Sequence, residues 1–487
     1  MAETLFDLAI IGAGVTGSSI AYQLSAYDTK VVVLEKMEDI SFGVTKANSG
    51  IIHAGFHHKP DSLKAHLEIQ GNLMYDELKQ TLDFPFKRVG ILVAAFNYEE
   101  MKMVEKLYHQ GVENNVPRIE IVSRERILDL EPKLSQDVVG GLYAPTGGII
   151  EPYRFVFALM ESALKNGVEL RRNFMVSQCK QKDGVFTILS ADNQAVRARR
   201  VVNAAGLYSD EVSRIFKAEE FQIIPRKGEE YLLERNASGF PRHVIFPVPV
   251  KNSKGVLVIP TVEGTMMIGP TAEEIDDKED FSTTRDNLER VFTLAMKMVP
   301  MISKKEIITS FAGLRPAMKG NDFLIKISDK TPHFIQAAAI QSPGLTAAPA
   351  IGLYVLDLLK QDGMELVKKI DHDPKLEKKP MIREFDFSDA DKLISDDRRY
   401  GNIVCRCENV SEAEIIEAIK NGHHTLDGIK FYTRAGMGRC QGGFCAYKII
   451  KILMRETGKS AYQLTKRGGN SFLLSHQLGE GKVDTPS

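Results

Sequence analysis

The sequence has few cysteines, almost no net charge and no long apolar run. Five cysteines in 487 residues are too few for a disulfide framework, which excludes small disulfide-stapled secreted domains. The formal net charge of -1 provides no basic excess, so we expect neither nucleic acid nor an anionic membrane as a partner. No stretch approaches the roughly 18 apolar residues of a membrane-spanning helix, and the start Met-Ala-Glu-Thr-Leu lacks the basic region of a signal peptide. We therefore expect a soluble, cytoplasmic protein with no transmembrane segment.

The beginning of the chain has the pattern of a strand, a glycine-rich turn and a helix. Residues 7–11 form an apolar run that suits a buried parallel strand, and the turn Gly12-Ala-Gly14-Val-Thr-Gly17 follows directly. Gly12 permits the tight turn, Gly14 lets the backbone approach a pyrophosphate, and Gly17 allows the helix of residues 18–25 to pack closely on the strand. The N-terminus of that helix offers free N–H groups and a positive dipole to the phosphates.

A second strand supports the same interpretation. Residues 31–34 are apolar and precede Glu35, which follows Gly17 by 18 residues, where a carboxylate accepts hydrogen bonds from an adenosine ribose. The pattern predicts a dinucleotide-binding βαβ unit rather than a glycine-rich surface turn. By itself this unit leaves NAD and FAD open, and the sequence contains no second unit of the kind.

Residues 41–55, SFGVTKANSGIIHAG, are rich in small and hydroxylated side chains, which let backbone amides approach a bulky flat ligand. This segment resembles the NSGxxHAG motif of the glycine oxidase and D-amino-acid oxidase superfamily of FAD enzymes. Within it, the resemblance is to type II FAD-dependent glycerol-3-phosphate dehydrogenases and oxidases and to L-2-hydroxyglutarate oxidases. The segments 201–206, VVNAAG, and 340–350, IQSPGLTAAPA, fit the same family in the expected order. The resemblance covers about residues 5–365 and implies FAD as the cofactor.

The resemblance also implies which residues bind FAD. They come from the glycine turn, the end of the second strand, the small-residue segment, two later strand ends and the last flavin turn. The expected set is Gly12, Gly14, Val15, Thr16, Gly17, Glu35, Lys36, Thr45, Asn48, Ser49, Val176, Ala205, Gly206, Gly344, Leu345 and Thr346.

The implied fold is an α/β FAD-binding domain of Rossmann type with an inserted, mostly antiparallel substrate domain of the α+β class. The FAD-binding domain is expected from residues 1–83, 146–217 and 311–365, and the substrate domain from residues 84–145 and 218–310. Alternating runs at residues 90–95, 228–233 and 255–259 suggest strands of the inserted sheet. Independent domains in sequence are the alternative, which the FAD-type segments on both sides of each insertion disfavour.

His53, inside NSGIIHAG, is the candidate catalytic base. Oxidation of a secondary alcohol by a flavin needs a base for the hydroxyl proton, and histidine titrates near neutral pH. In the resembling oxidases the matching histidine lies over the flavin, which implies this role for His53. The alternative is that His53 only packs against the flavin or donates a hydrogen bond to it. His57 and His58 are rivals that we expect at the solvent-exposed rim.

Arg315 is the candidate for recognition of an anionic substrate. It matches the arginine that the family directs at a phosphate or carboxylate, and a guanidinium binds either group with two hydrogen bonds. We assign it to the catalytic site, with a surface arginine as the alternative. Lys254 is a second possible phosphate contact, although surface lysines are common, and Ser342 could reach the substrate or the flavin.

Four of the five cysteines lie close together near the end of the sequence. Cys405 and Cys407 form a CxC pair, and Cys440 and Cys445 follow after 32 intervening residues. The helix-like segment 411–421, with an apparent Ser411 cap and Glu414, lies between the pairs. This spacing differs from that of zinc ribbons, and the glycines near Cys440 could present backbone N–H groups to sulfur, as an iron–sulfur cluster requires. Structural zinc and free thiols are the alternatives.

The cysteine segment resembles the bacterioferritin-associated-ferredoxin-like [2Fe-2S] domain, which implies four thiolate ligands and a small helical domain at residues 401–457. Residues 366–400 are charged and irregular and are expected to be a surface linker. Residues 458–487 are expected to be a tail, with a frayed polar end at 479–487. Cys179 stands apart, and we expect it to be a buried strand residue.

A one-electron centre suits electron transfer to another protein, whereas an oxidase needs only FAD and dioxygen. Chains that resemble this one are usually anaerobic glycerol-3-phosphate dehydrogenases. The resemblance therefore implies oxidation of sn-glycerol 3-phosphate to dihydroxyacetone phosphate, with electrons passing from FAD through the cluster to a partner flavoprotein or NAD-linked subunit in an oligomer. The main alternative substrate is L-2-hydroxyglutarate or a related 2-hydroxy acid, followed by an amine. A non-enzymatic electron-transfer protein would need neither His53 nor Arg315.

Overall fold

A computed structural model describes residues 4–235, 239–249, 254–320 and 322–475. The chain divides into two compact units. The first comprises Met1–Glu35 and Ser41–Leu376, and the second comprises Lys36–Ile40 and Glu377–Ser487. No helix in the described ranges is both long and apolar enough to cross a bilayer.

The secondary-structure elements are numbered in chain order. The strands are β1 (Leu5–Ile11), β2 (Val31–Leu34), β3 (Ile51–Ile52), β4 (Phe86–Arg88), β5 (Ile91–Ala95), β6 (Glu120–Ser123), β7 (Gly140–Ala144), β8 (Gly148–Ile150), β9 (Glu169–Arg171), β10 (Val176–Lys182), β11 (Val185–Ser190), β12 (Ala195–Asn203), β13 (Ile224–Leu233), β14 (Val244–Pro247), β15 (Leu257–Pro260), β16 (Met266–Gly269), β17 (Glu273–Glu274), β18 (Ile307–Ala317), β19 (Leu324–Ile327), β20 (Phe334–Ala338), β21 (Ile403–Cys405) and β22 (Val410–Ser411). The helices are α1 (Val15–Leu24), α2 (Leu63–Leu82), α3 (Tyr98–Glu113), α4 (Arg124–Leu130), α5 (Pro152–Lys165), α6 (Ser209–Ile215), α7 (Arg285–Met298), α8 (Gly344–Gln361), α9 (Phe387–Asp396), α10 (Glu412–Lys420), α11 (Leu426–Thr433) and α12 (Ala446–Thr457).

The first unit contains an eight-stranded sheet built around the N-terminal strand. Its order is β10-β11-β12-β1-β2-β9, with β20 paired to β12 and β19 paired to β20. Strand β1 pairs in parallel with β2 and β12, and helix α1 packs against α5 and α8. The four residues of β2 are all buried, as expected for a strand covered on both faces. The predicted strand 31–34 is therefore confirmed, and α1 begins at Val15 rather than at residue 18 because Gly17 already belongs to its first turn.

A second, nine-stranded sheet has the order β17-β13-β16-β15-β14-β5-β7-β6, with β18 paired to β13. Its pairings are antiparallel except for β14 with β5, which confirms the expected mostly antiparallel sheet. Both faces are buried: Leu92 of β5 packs in the cluster that contains Phe292 of α7, whereas Val93 packs in the cluster that contains Phe56. Because side chains alternate along a strand, a strand between two apolar layers is apolar throughout.

Two of the expected domain boundaries differ from the observed elements. Strand β18 pairs with β13 up to Ala317, so this sheet extends beyond the expected boundary at residue 310 and includes Arg315. The expected linker at residues 366–400 contains helix α9, which Asp386 caps by accepting a hydrogen bond from the N–H of Asp389. Of the expected tail, residues 476–487 lie outside the described ranges, including the segment 479–487.

The second unit is small and largely helical. Its helix α10 begins with the predicted capping box, in which the Ser411 hydroxyl accepts from the N–H of Glu414 and the Glu414 carboxylate accepts from the N–H of Ser411. Strands β21 and β22 pair antiparallel beside it.

The segment Lys36–Ile40 supplies one member of a buried hydrogen-bonded pair in the second unit. The Nδ1 atom of His423 lies 2.7 Å from the Oδ2 atom of Asp39, and both side chains are almost fully buried. Gly428 makes this approach possible, because a Cβ at that position would lie 2.5 Å from the same carboxylate oxygen. Five residues from the early part of the chain therefore complete a unit made otherwise of its last part.

Candidate active site

The glycine turn after β1 has the close contacts that its sequence predicts. Gly12 has a φ of +104°, which favours glycine, and a Cβ on Gly17 would lie 1.9 Å from the Gly12 carbonyl oxygen. A Cβ on Gly14 would lie 3.2 Å from the Oγ1 atom of Thr45, which accepts a hydrogen bond from the N–H of Val15 at 3.0 Å. The turn therefore needs Gly12 and Gly17, leaves little room at Gly14, and is tied to the small-residue segment.

Two features of this region fit a bound dinucleotide. The buried Glu35 carboxylate lies at the end of β2 and accepts a hydrogen bond from the N–H of Ala13 at 2.8 Å, so it is fixed beside the turn. Gly14 precedes α1 and provides no side-chain cap, so the helix presents backbone N–H groups to a ligand. The residues present suit the pyrophosphate and ribose of FAD.

The N-terminus of α8 is joined to the segment that carries His53. The Thr346 hydroxyl accepts from the N–H of His53 at 2.9 Å and donates to the carbonyl of Ile51 at 3.4 Å. The Leu345 carbonyl accepts from the hydroxyl of Tyr75 in α2. Pro343 precedes Gly344 and provides no side-chain cap, so this helix also has backbone N–H groups available for a ligand such as the flavin.

The other predicted cofactor residues occupy several places. Asn48 donates to the carbonyl of Thr45 and accepts from the N–H of Gly50, which shapes the small-residue segment. Val176 and Ala205 both pack against the apolar cluster beneath β1 and β2, and Gly206 follows with a φ of +58°. Thr16 is buried in the first turn of α1, whereas the Lys36 side chain is exposed. These assignments remain predictions.

Three of the predicted catalytic and substrate residues form a row. The Nε2 atom of His53 lies 3.4 Å from the Oγ atom of Ser342, and the Nζ atom of Lys254 lies 3.4 Å from the same oxygen. The ring of Phe246, in β14, lies 6.0 Å from the His53 ring between centroids. The residues come from the segment directly after β3, from the loop before α8 and from the chain before β15, so the fold brings together distant parts of the sequence.

The three histidines of this region are held in the neutral form. Burial, with a further contribution from the charge of Lys254, lowers the pKa of His53 and of His57 well below 6.5, and the same causes lower the pKa of His58 to about 2. His57 and His58 are partly exposed, as expected for residues at a rim, but their ring nitrogens are enclosed. Both ring nitrogens of His57 and Nε2 of His58 are buried, and none has a hydrogen-bond partner in the described ranges. Buried polar atoms without partners indicate a site that receives a polar ligand.

Arg315 is half-buried and held by backbone groups. Its guanidinium donates to the carbonyls of Thr271 at 3.3 Å and Arg226 at 3.5 Å. Gly228 leaves the necessary space, because a Cβ there would lie 2.7 Å from a guanidinium nitrogen. These contacts disfavour the alternative of a freely solvated surface arginine. Burial lowers the pKa of Arg315, an effect opposed by the neighbouring Glu230.

Two buried carboxyl groups were not predicted from the sequence. Burial raises the pKa of Glu230 to about 7, and its carboxylate accepts from the Ser49 hydroxyl at 2.9 Å. Glu68, in α2, is 0% exposed, and neither of its carboxylate oxygens has a hydrogen-bond partner among the described residues. Burial raises its pKa to about 7, against the charges of Lys254 and Lys64. Lys64 and Glu68 stand four residues apart, a spacing that in sequence is typical of a solvent-exposed helix pair.

The charges around Lys254 make a testable prediction about anion binding. Burial lowers the pKa of Lys254 to about 8 and the pKa of Lys64 also to about 8. Burial raises the pKa of Glu68 to about 7. As the pH rises, each group becomes less positive or more negative. The affinity for sulfate, whose charge is constant, should therefore fall about tenfold per pH unit above about pH 8. The measurement is a titration of the FAD-loaded chain with sulfate, followed by the flavin absorbance.

Two variants serve as controls for this prediction. Lys254→Gln should bind sulfate weakly and lose most of the pH dependence. Glu68→Gln should move the fall to lower pH, because Lys254 loses the carboxylate that helps it keep its proton. An affinity that stays constant from about pH 7 to about pH 9 in the unmodified chain would contradict the assignment.

The four clustered cysteines lie in the second unit as two contacting pairs. The Sγ atoms of Cys407 and Cys440 are 3.7 Å apart, and the thiols of Cys405 and Cys445 form the other pair. A Cβ on Gly438 would lie 2.3 Å from the Cβ of Cys407, so this glycine lets the two loops meet. Within the described ranges, no three His, Cys, Asp or Glu side chains are arranged to hold a single metal ion.

Backbone amides surround these thiols. The N–H groups of Gly442, Gly443 and Phe444 are directed at the sulfur of Cys440, and that of Gly436 at the sulfur of Cys405. Such donors stabilise the charge of an iron–sulfur cluster, so the donor set fits the predicted [2Fe-2S] group. The remaining cysteine, Cys179, lies in β10, where partial burial raises its pKa to about 12.

Comparisons with known proteins agree with both parts of this description. The model of the DAO family, described as FAD dependent oxidoreductase, matches residues 7–358, and that of the BFD-like [2Fe-2S] binding domain matches residues 403–455. A glycerol 3-phosphate dehydrogenase of Caloramator mitchellensis is 44% identical, over 97% of this chain and 98% of its own length. The human mitochondrial L-2-hydroxyglutarate dehydrogenase is 31% identical, over 57% of this chain and 64% of its own length.

A solved structure shows the same fold over the first unit. The L-alpha-glycerophosphate oxidase of Mycoplasma pneumoniae, solved in the dithionite-reduced state with FAD bound, superposes with a TM-score of 0.74 at 31% identity. The alignment covers 78% of this chain and all of that one. The predicted fold class and the two predicted cofactors, FAD and a [2Fe-2S] cluster, are confirmed.

Proposed function

This chain belongs to the FAD-dependent oxidoreductase family, and on that premise we propose that it oxidises sn-glycerol 3-phosphate to dihydroxyacetone phosphate. The observation that carries the proposal is the row of Lys254, Ser342 and His53, in which a cation and a neutral imidazole flank one hydroxyl at 3.4 Å on each side. The row offers an anion contact and a proton acceptor close together, as the oxidation of a phosphorylated alcohol requires.

His53 is the proposed base. Its lowered pKa keeps the imidazole neutral at physiological pH, so a ring nitrogen is available to take the proton of the substrate hydroxyl. The same burial disfavours the resulting imidazolium until a negative charge is close by. Binding of the phosphate next to Lys254 provides that charge, and we therefore expect proton transfer to depend on the anionic part of the substrate.

Arg315 and Lys254 are the proposed anion contacts. The carbonyls of Thr271 and Arg226 fix the guanidinium, so its side chain loses little conformational freedom when it binds an oxyanion. Such a group serves the carboxylate of a 2-hydroxy acid as readily as a phosphate. Oxidation of L-2-hydroxyglutarate or a related acid is therefore the second candidate, and likeness to the human dehydrogenase supports it.

The electrons leave in two stages in this proposal. When bound, FAD would supply a hydride acceptor for the substrate carbon. Cys405, Cys407, Cys440 and Cys445 would hold the [2Fe-2S] group, which would supply one-electron transfer to a partner protein. The exposed position of Cys407 supports an exit at the surface of the second unit. We infer that the partner is a flavoprotein or another NAD-linked electron acceptor.

An anaerobic titration tests the substrate assignment. The FAD-loaded chain is mixed in turn with glycerol 3-phosphate, L-2-hydroxyglutarate and glycine, and the flavin absorbance band is followed. We expect glycerol 3-phosphate to bleach the band at the lowest concentration, because the ammonium of Lys254 contacts the Ser342 hydroxyl that lies next to His53. Bleaching by L-2-hydroxyglutarate alone would favour the second candidate, and bleaching by glycine alone would favour amine oxidation.

A further inference from the structure

The surface around the cysteine loops exposes two large aromatic side chains. Phe444, between Cys440 and Cys445, is 83% exposed, and Tyr447, in the first turn of α12, is 65% exposed. Cys407 is exposed beside them, and its sulfur lies 3.7 Å from that of Cys440. Two large exposed aromatic side chains close together beside the cysteine pairs offer an apolar contact to a partner protein.

The same surface is basic. Arg406 and Arg439 are exposed on the two cysteine loops, and Lys448 and Lys451 are exposed on α12. Residues 439–451 contain no Asp or Glu. The neighbouring Glu408 is only 4% exposed, and its carboxylate lies 2.9 Å from the Nε atom of Arg434. The positive charge is therefore local, since the whole chain has a net charge of -1.

We propose that this docking face, formed by Arg406, Arg439, Phe444, Tyr447, Lys448 and Lys451, binds a separate one-electron carrier protein whose own redox centre is ringed by acidic residues. The proposal rests on the electron relay of the proposed function and adds the chemistry of the partner. Aromatic anchors at the centre and charged groups at the rim form the usual anatomy of a transient protein interface. Complementary charge favours fast encounter and orientation over tight binding, which suits repeated electron transfer.

Each encounter transfers one electron. The reduced cluster returns to its oxidised state, and the metal or flavin of the carrier is reduced by one electron. The oxidation of one alcohol releases two electrons, so two encounters return the protein to its starting state.

The test uses the complete chain loaded with FAD and cluster and two one-electron proteins of opposite charge. An acidic plastocyanin takes an electron at Cu(II) and a basic cytochrome c at Fe(III). The second-order rate of electron transfer is measured at about 0.01 M and about 1 M salt, between which the Debye length falls from ~30 Å to ~3 Å. We expect the rate with plastocyanin to fall at least ~10-fold with salt and that with cytochrome c to be unchanged or to rise.

Charge-reversal variants locate the effect on the surface. The double variant Lys448→Glu with Lys451→Glu should lower the low-salt rate with plastocyanin at least ~10-fold and remove its salt dependence. Lys420→Glu reverses a charge at the end of α10, outside the docking face. This variant should leave the low-salt rate with plastocyanin and its salt dependence unchanged. The double variant Lys448→Gln with Lys451→Gln removes the two charges without reversing them and should give an intermediate rate. For every variant, the iron content and the rate of flavin reduction by substrate show that the protein is folded.

A direct binding measurement separates this proposal from the relay itself. Association of oxidised plastocyanin with the immobilised chain reports docking without any electron transfer, and the double variant should weaken it by the same factor. Equal affinity of the unmodified and reversed chains would overturn the docking face. Slower cluster reduction by substrate in the variant without any acceptor would also overturn it, because the face would then serve a contact within the protein. Normal docking with no electron transfer would instead refute the relay.

Discussion

Replacement of His53 by asparagine should slow the reduction of the flavin by substrate at least ~100-fold, the lower range of what a general base contributes. Asparagine has a similar size and forms hydrogen bonds, but it accepts no proton. The row of contacts makes the effect specific, because the Nε2 atom of His53 faces Ser342 and, beyond it, Lys254. The measurement is anaerobic stopped-flow absorbance with saturating glycerol 3-phosphate, so that weaker binding does not enter the rate.

His58→Asn is the matched control for this result. His58 is also neutral, with a buried Nε2 atom that has no hydrogen-bond partner in the described part of the chain. It should change the reduction rate by no more than a few-fold. If His53→Asn reduces its flavin as fast as the unmodified chain, His53 is not the base and only packs against the cofactor.

Loss of the cluster is the second large effect that we expect. The double variant Cys405→Ser with Cys440→Ser removes one thiol from each contacting pair, so neither pair can hold iron. Electron transfer to a protein acceptor should fall below detection, while the rate of flavin reduction by substrate stays the same because the flavin accepts the hydride directly. The assay follows reduction of plastocyanin together with iron and acid-labile sulfide content.

The cysteine outside the cluster provides the control. Cys179→Ser changes a thiol in β10 of the first unit and should leave iron content and electron transfer unchanged. An iron-free double variant that still reduces plastocyanin at the original rate would show that electrons leave the flavin without the cluster. The relay would then be wrong, although the proposed substrate chemistry would stand.

The parts of the molecule that follow local rules could be predicted from the sequence. The glycine turn, β2 and Glu35 were placed correctly because a tight turn, a buried strand and a strand-end acid each have a short-range signature. The capping box at Ser411 is of the same kind. The residue type and spacing of the four clustered cysteines predict a metal or iron–sulfur site, because few other functions fit such a cluster.

The parts that depend on distant contacts could not be predicted. Lys64 and Glu68 resemble an exposed helical pair, and only the packing of α2 within the first unit buries them. Glu230 lies in a strand whose alternation gives no hint of Ser49 as its partner. His57 and His58 were expected at the rim because nothing local shows that their ring nitrogens are enclosed.

The buried pair of Asp39 with His423 has a consequence for how this protein is made. The two residues are separated by 383 others, yet each is the partner of the other inside one small unit. During synthesis on the ribosome, Asp39 emerges early, but its contact with His423 cannot form until almost all of the polypeptide has been synthesised. A gene fragment that encodes only the last third of the chain therefore lacks a piece of its own fold. The protein made from such a fragment, alone or fused to another enzyme, should be less stable than the same unit in the complete chain unless the segment Lys36–Ile40 is supplied.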